Sequence, residues 1–348
     1  VTATSTSATS ASVPGTAAPR LLHGVGARAL EWLSANREQF RARTDATTTR
    51  VEVMERFKPI GELAVIGKVL LREGVAGSEQ AVLIRELLDF AWDDLLEGGE
   101  LLAWVQRQEP MSPIPLELYV PFRELGRQHS DLESTVRLAH GLASWGGVEV
   151  VPNRRLGLSR VESRAGLSPS IEPDEALRRT WLGRTPEPWT VEYHIAYDVT
   201  HTVFHRTDWG EHPEYLPADI ADYLARWLPV WLDDWAELRQ WDLLGELLVV
   251  DACLPEPTLD AGLWQRYAAA QLPDGAMPAR DDAPERAAAG GGGGDGSPGE
   301  GGSPGEGGAD PAELFDWMYH PTLVAAFASV LATSRAMTAL TGPSPEPR

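Results

Sequence analysis

The sequence predicts an all-α protein built from repeated helical hairpins, and three observations carry that expectation. Apolar residues recur at intervals of three and four through six long segments, helix punctuation stands at their ends, and period-two alternation is almost missing. In chain order the segments are RLLHGVGARALEWLSANREQF (20–40), GELAVIGKVLLREG (61–74), EQAVLIRELLDFAWDDLLEGGELLAWVQ (79–106), LELYVPFRELGRQHSDLESTVRLAHGL (116–142), ADIADYLARWLPVWLDDWAELRQWDLLGELLVVDACL (218–254) and PAELFDWMYHPTLVAAFASVLATSRAMTAL (311–340). Ser78 precedes a helix with Glu79 in its first turn, Gly74 and Gly77 separate two helices, and Pro217 lies where the next one opens. VEVVPN (148–153) is the main strand-like exception, and residues 152–175, rich in Ser, Arg and Pro, predict an irregular excursion.

The 348 residues are 43% hydrophobic with 13 Trp, enough for a sizeable core in one all-helical domain spanning 20–342. Residues 1–19 are small and polar and predict a disordered tail. Residues 289–309 hold five consecutive glycines and then GSPGEG twice, which predicts a disordered loop whose deletion leaves the fold intact. Residues 343–348 predict a flexible C-terminus.

A formal charge of −21 argues against attraction to nucleic acid or to anionic lipid. A lone Cys253 excludes an internal disulfide framework and a Cys-rich zinc site, and points to a reducing compartment. Residues 1–19 have neither a basic start nor an apolar core, and runs such as LLGELLVV are too short to cross a bilayer, so the expectation is a soluble cytoplasmic protein. Its expected partner is a small molecule or a peptide, and a homodimer is compatible with the sequence.

The chemistry is sought in YHIAYDVTHTVFHRTDWG (193–210), which holds three of the eight histidines. On a helix advancing about 100° per residue, His194, Asp198, His201 and His205 fall at about 0°, 40°, −20° and 20°, one narrow stripe. His201 and His205 lie about 6 Å apart along the axis, a spacing that lets two imidazoles share one divalent metal ion. Asp198 then serves as a third ligand, or holds the His201 tautomer. His194, about 16 Å from His205, belongs to a longer groove. Without a metal the same residues make a general acid and base pair, with Asp208 and His320 as further candidates. Tyr193, Tyr197 and Trp209 are candidate substrate contacts. The competing reading makes the histidines satisfied core residues, hydrogen-bonded by Thr200, Thr202 and Thr207. Trp227, Trp231 and Trp235 recur every fourth residue, a packing stripe.

Two family resemblances bear on these expectations. WQRYAAAQLPDGAMPARDD (264–282), with the echo between EYHIAYDVTHTVF (192–204) and MYHPTLVAAFASV (318–330), resembles the α/α toroids of prenyl and terpene cyclases, lanthionine cyclases and several sugar hydrolases. That resemblance implies a closed ring of hairpins. The zinc set of the lanthionine cyclases needs two cysteines, and the acid motif DxDD is missing. The prenyl diphosphate pattern DDxxE occurs at Asp93, Asp94 and Glu97 and again at Asp233, Asp234 and Glu237, where solvated acidic faces are the alternative. The second resemblance, carried by YHIAYDVTHTVFHRTDWG and MYHPTLVAAFA, is to an uncharacterised all-helical actinobacterial family and implies a tailoring or accessory protein of natural-product clusters. The expected function is a tailoring enzyme with a His- and Asp-lined groove. Its alternative is a non-catalytic peptide- or partner-binding accessory protein, and a prenyl diphosphate enzyme ranks below both.

Overall fold

Left-handed backbone turns cut the long periodic segments into helices. In the segment 79–106, Gly98 and Gly99 take φ of 65° and 99°, and in 218–254 Arg239 takes φ of 53°. The computed structural model describes residues 15–41, 50–282 and 311–341. In order the α-helices are α1 (Pro19–Ala35), α2 (Arg50–Glu73), α3 (Ser78–Phe90), α4 (Glu100–Gln108), α5 (Ile114–Glu124), α6 (Ser130–His140), α7 (Ala143–Gly146), α8 (Pro152–Arg164), α9 (Pro173–Arg179), α10 (Tyr193–Arg206), α11 (Ala218–Glu237), α12 (Trp241–Ala252), α13 (Ala261–Ala270) and α14 (Pro311–Thr341). The protein is all-α. Among the described residues the only β pairing is two isolated bridges, Thr16 with Asp260 and Gln240 with Arg280.

The packing centres on α14, which lies against α1, α2 and α12. From Pro321 to Ala332 it is buried on every side, the mark of a core helix. Small residues let α1 approach closely: the Gly26 N–H donates to Ser329 Oγ at 3.1 Å, and Ser329 donates to the Leu22 carbonyl at 2.6 Å. A Cβ at Gly26 would lie 2.4 Å from that oxygen. The toroid expectation implied a ring of hairpins; the contacts establish α14 packed against α1, α2 and α12, and do not establish a ring.

Four expectations need correction. VEVVPN forms no strand; Val151 leads into Pro152, which opens α8. The supposed irregular stretch is largely α8 and α9, and α8 buries Leu156, Gly157, Leu158, Ser159 and Glu162. Its buried face is polar enough to hide the helical period, because Glu162 is satisfied from outside by Trp145 Nε1 at 2.7 Å and the Ser170 N–H at 2.6 Å. Part of the expected tail is ordered: Ala17 is buried and donates to the Leu259 carbonyl at 2.7 Å, while Gly15 accepts from Ala261 at 2.8 Å. Finally, Ala312–Thr341 is by itself long and apolar enough to cross a bilayer, with mean hydropathy 1.5, but 67% of that window is buried inside the protein, as in a core helix. Residues 1–14, the glycine-rich segment 289–309 and residues 343–348 lie outside the described residues.

Candidate functional site

Four helices bring the site together. On α10 the buried face is Ala196, Val199, Thr200, Val203 and Phe204, so Tyr197 and His201 stand at its edge toward α12. On α12 nearly every residue is buried, yet Asp242 and Glu246 lie four apart on one face. Glu62 on α2 and His320 on α14 complete the set.

His320 is the centre. Its Nδ1 stands 2.9 Å from Glu62 Oε2, and its Nε2 stands 3.3 Å from Glu246 Oε1 and 3.5 Å from Asp242 Oδ1. Tyr197 donates its hydroxyl to Asp242 Oδ2 at 2.6 Å, and Thr200 donates to Glu246 Oε2. His201 Nδ1 lies 2.8 Å from the Tyr197 carbonyl and 3.7 Å from Glu246 Oε2. Glu246 is only 2% exposed and Asp242 13%, whereas the His201 side chain is 41% exposed, so His201 marks the solvent side.

Burial and charge oppose each other here. Burial alone would lower the His320 pKa, but Glu62 and Asp242 beside it and the hydrogen bonds to Glu246 and Glu62 hold it well above the usual imidazole value. Burial pushes Asp242 up, against His320, and the nearby Glu246 and Glu62 add to the rise. Burial would raise Glu246 too, but His201, His320 and Thr200 together bring it below the usual carboxylate value. The Tyr197 hydroxyl is pushed far up by burial and by the Asp242 and Glu246 charges, so it is a hydrogen-bond donor throughout the working pH range.

The stripe nominated on α10 is dispersed by its neighbours. His194 is exposed at the start of the helix, and Asp198 accepts from Asn153 Nδ2 at 2.9 Å on the side of α8. His205 is wedged against α8 at Gly157, and burial, with His201 and Arg154 nearby, pushes its pKa down to about 3. The rings of His201 and His205 have centroids 6.3 Å apart and planes at 58°. Asp198, His201 and His205 are therefore not gathered round one point. Among the described residues, no group of three or more His, Cys, Asp or Glu side chains is arranged to hold a metal ion.

Asp208 and Trp209 are held by structural contacts. Asp208 is buried at φ 52° and receives Arg164 Nε at 2.6 Å, with Arg160 3.9 Å away. Trp209 stacks on Phe204 and packs against Phe327, while its carbonyl accepts from Arg72 at 2.9 Å. Tyr193 meets Tyr197 at 3.5 Å between hydroxyls and lines the same edge as His201. Both DDxxE matches lie on exposed faces, and Arg266 bridges Asp233 and Glu237.

Of the sequence candidates, the structure brings His201, Tyr197 and His320 together. Glu62, Asp242 and Glu246 were missed. The available signal was a lone glutamate inside the apolar run LLGELLVV, together with the repeated Tyr-His pair that already pointed to His320.

Residues 26–330 match a family described as a domain of unknown function (DUF6895). The chain belongs to that family. Every residue of the site, from Glu62 to His320, falls inside the DUF6895 span. No curated protein and no solved structure matches the chain.

Proposed function

We propose that the protein is an enzyme of secondary metabolism acting on a small molecule or a peptide at the His320 site. One observation carries the reading: three carboxylates from two helices converge on a histidine at the edge of the core. Removing charges from water costs free energy that a core of leucines does not, so stability alone gives no reason for such a cluster, whereas reaction chemistry does.

Each residue has a chemical part in this reading. His201 donates Nδ1–H to the Tyr197 carbonyl, which leaves Nε2 with a free lone pair on the solvent side, positioned to take a proton from a bound substrate. Tyr197 orients Asp242, and Tyr193 beside it offers a hydroxyl to the substrate. The natural-product setting comes from the sequence resemblance, and a single buried thiol fits a reducing, aqueous compartment.

The test needs no known substrate. Purified protein is incubated with small-molecule extracts and with peptide pools, and mass spectrometry follows which species disappear. The expected result is conversion by the wild type that is lost in His201→Gln and Glu246→Gln, both checked for folding by circular dichroism. Equal conversion by these folded variants would refute the proposal.

A further inference from the structure

We propose that His320 is a pH-sensitive clasp: its imidazolium ties α2 and α12 to α14, and loss of its proton loosens the part of α14 that precedes Pro321. The clasp uses residues of the proposed catalytic site but does not depend on turnover there.

The ring faces a carboxylate at each nitrogen. Nδ1 stands 2.9 Å from Glu62 on α2, and Nε2 stands 3.3 Å from Glu246 and 3.5 Å from Asp242 on α12. A neutral imidazole has one N–H and one lone pair, so only the protonated ring donates to both helices at once. Once the ring is neutral, one nitrogen turns a lone pair toward a carboxylate, and Glu246, only 2% exposed, is left with a buried charge and less to offset it. Deprotonation therefore breaks one of the two links and puts repulsion in its place.

Among the described residues no other group around the cluster supplies a buried positive charge. Tyr197 and Thr200 on α10 donate hydrogen bonds to Asp242 and Glu246, and Tyr267 on α13 sets its hydroxyl against Gly245, between those two in sequence. All three are neutral. His201 lies 3.7 Å from Glu246 with its side chain 41% exposed, and Lys58 lies 4.0 Å from Glu62 Oε1 with its side chain 65% exposed, so solvent screens both. On α14 itself, Tyr319 meets the imidazole edge-on at 6.3 Å.

The position of the clasp makes it a hinge point. Pro321 follows His320 inside α14, and Pro59 stands three residues before Glu62 inside α2. Proline has no N–H to continue the helical ladder, so each helix is weakened within a turn of its clasped residue. Beyond Pro321, α14 is buried on every side as far as Ala332, whereas among residues 312–320 only Phe315, Met318 and Tyr319 are buried. Phe315 stacks on Tyr319 at 5.4 Å and meets Trp32 at 5.8 Å and Phe40 at 4.9 Å. One ring cluster and one ionic clasp hold this short segment, and helices open first where buried contacts are fewest.

The direction of the switch follows from the charges. Burial alone would favour the neutral ring, but Glu62, Asp242 and Glu246 hold the His320 pKa well above the usual imidazole value. An unfolded histidine titrates at about 6.5, so the clasp contributes fully below that pH and is lost as the pH rises through the higher folded value.

The test is hydrogen exchange of the full-length chain, read by mass spectrometry from pH 6 to pH 10 with labelling times scaled for base catalysis. Protection over residues 312–320 should hold at pH 6 and fall by roughly 10-fold or more at the alkaline end, while residues 323–332 of the same helix keep theirs. In Glu62→Gln, where the ring has one carboxylate fewer, the fall should begin at lower pH. In His320→Gln, protection of residues 312–320 should be low throughout and independent of pH. The NMR signal of the His320 Cε1–H, identified by its absence from the His320→Gln spectrum, should titrate together with the fall. Flat protection in the wild type overturns the inference, as does a fall that persists in His320→Gln shown by circular dichroism to be folded, or one shared equally by residues 323–332. If His320→Gln does not fold, a fall in Glu62→Gln that begins at the wild-type pH overturns it instead. No substrate enters the measurement, so its failure leaves the enzymatic reading where it stands.

Discussion

Replacing Gly157 by alanine tests the contact that turns His205 into a structural residue. A Cβ at 157 would lie 2.7, 2.8 and 2.9 Å from Cε1, Nε2 and Nδ1 of the His205 ring, closer than carbon tolerates. The ring has little room to retreat, because Trp209 meets it edge-on at 5.8 Å and His201 stands at 6.3 Å. Overpacking of this kind costs about 1–3 kcal/mol, while alanine in a helix interior gains about 1 kcal/mol over glycine. The net expectation for Gly157→Ala is a destabilisation of up to about 2 kcal/mol, read as a lowered urea midpoint at unchanged slope. In a His205→Ala background the clash is gone and only the helix gain remains, so the same substitution should become stabilising by about 1 kcal/mol. That change of sign is the content of the double-mutant cycle. Equal effects in both backgrounds would refute the placement of His205 against α8.

Two further predictions follow from buried groups. His205 is held neutral down to about pH 3 in the folded protein, whereas an unfolded histidine protonates near 6.5, so the unfolded state binds more protons once the pH drops below that value. Stability is therefore intact above pH 6.5 and falls as the pH is lowered; between pH 7 and 5 the loss is at most about 2 kcal/mol, an upper figure because part of the residue reaches solvent. Urea unfolding at both pH values should show that part of the loss absent in His205→Gln, and identical losses in the two proteins would count against it. Cys253 is fully buried, and burial pushes its thiol up to about 11. Aromatic disulfide reagents at pH 8 should therefore titrate one thiol per chain only as fast as the protein unfolds, and a rapid burst from native protein would contradict its burial.

The helices that the sequence revealed are those whose buried stripe is made of carbon. On α1, Leu22, Val25, Gly26, Ala29, Leu30 and Leu33 follow one face, and on α11 Ile220, Leu224, Leu228, Trp231 and Leu232 do the same. α8 escaped because beside Leu156 and Leu158 it buries Gly157, Ser159 and Glu162, the polar two made tolerable by hydrogen-bond partners. Ser159 returns its hydroxyl to the Leu156 carbonyl at 2.8 Å, and Glu162 is met by Trp145. Periodicity detects apolar faces, so a helix that docks through satisfied polar groups looks like a loop.

The same limit explains the site. A helical wheel states the direction in which a side chain leaves its own axis, and the four angles on α10 give a common stripe for His194, Asp198, His201 and His205. It is silent on what stands opposite. α8 takes His205 and Asp198, and only His201 reaches the carboxylates of α12. His320 was within reach of sequence reasoning because Tyr319–His320 repeats Tyr193–His194, but in the first copy the histidine is exposed and in the second it is locked among Glu62, Asp242 and Glu246. Glu62 lies 258 residues from the imidazole it touches. No local pattern encodes that separation. It arises because α14, placed last in the described chain, becomes the axis against which α2 and α12 pack, so residues far apart in sequence come to share one centre.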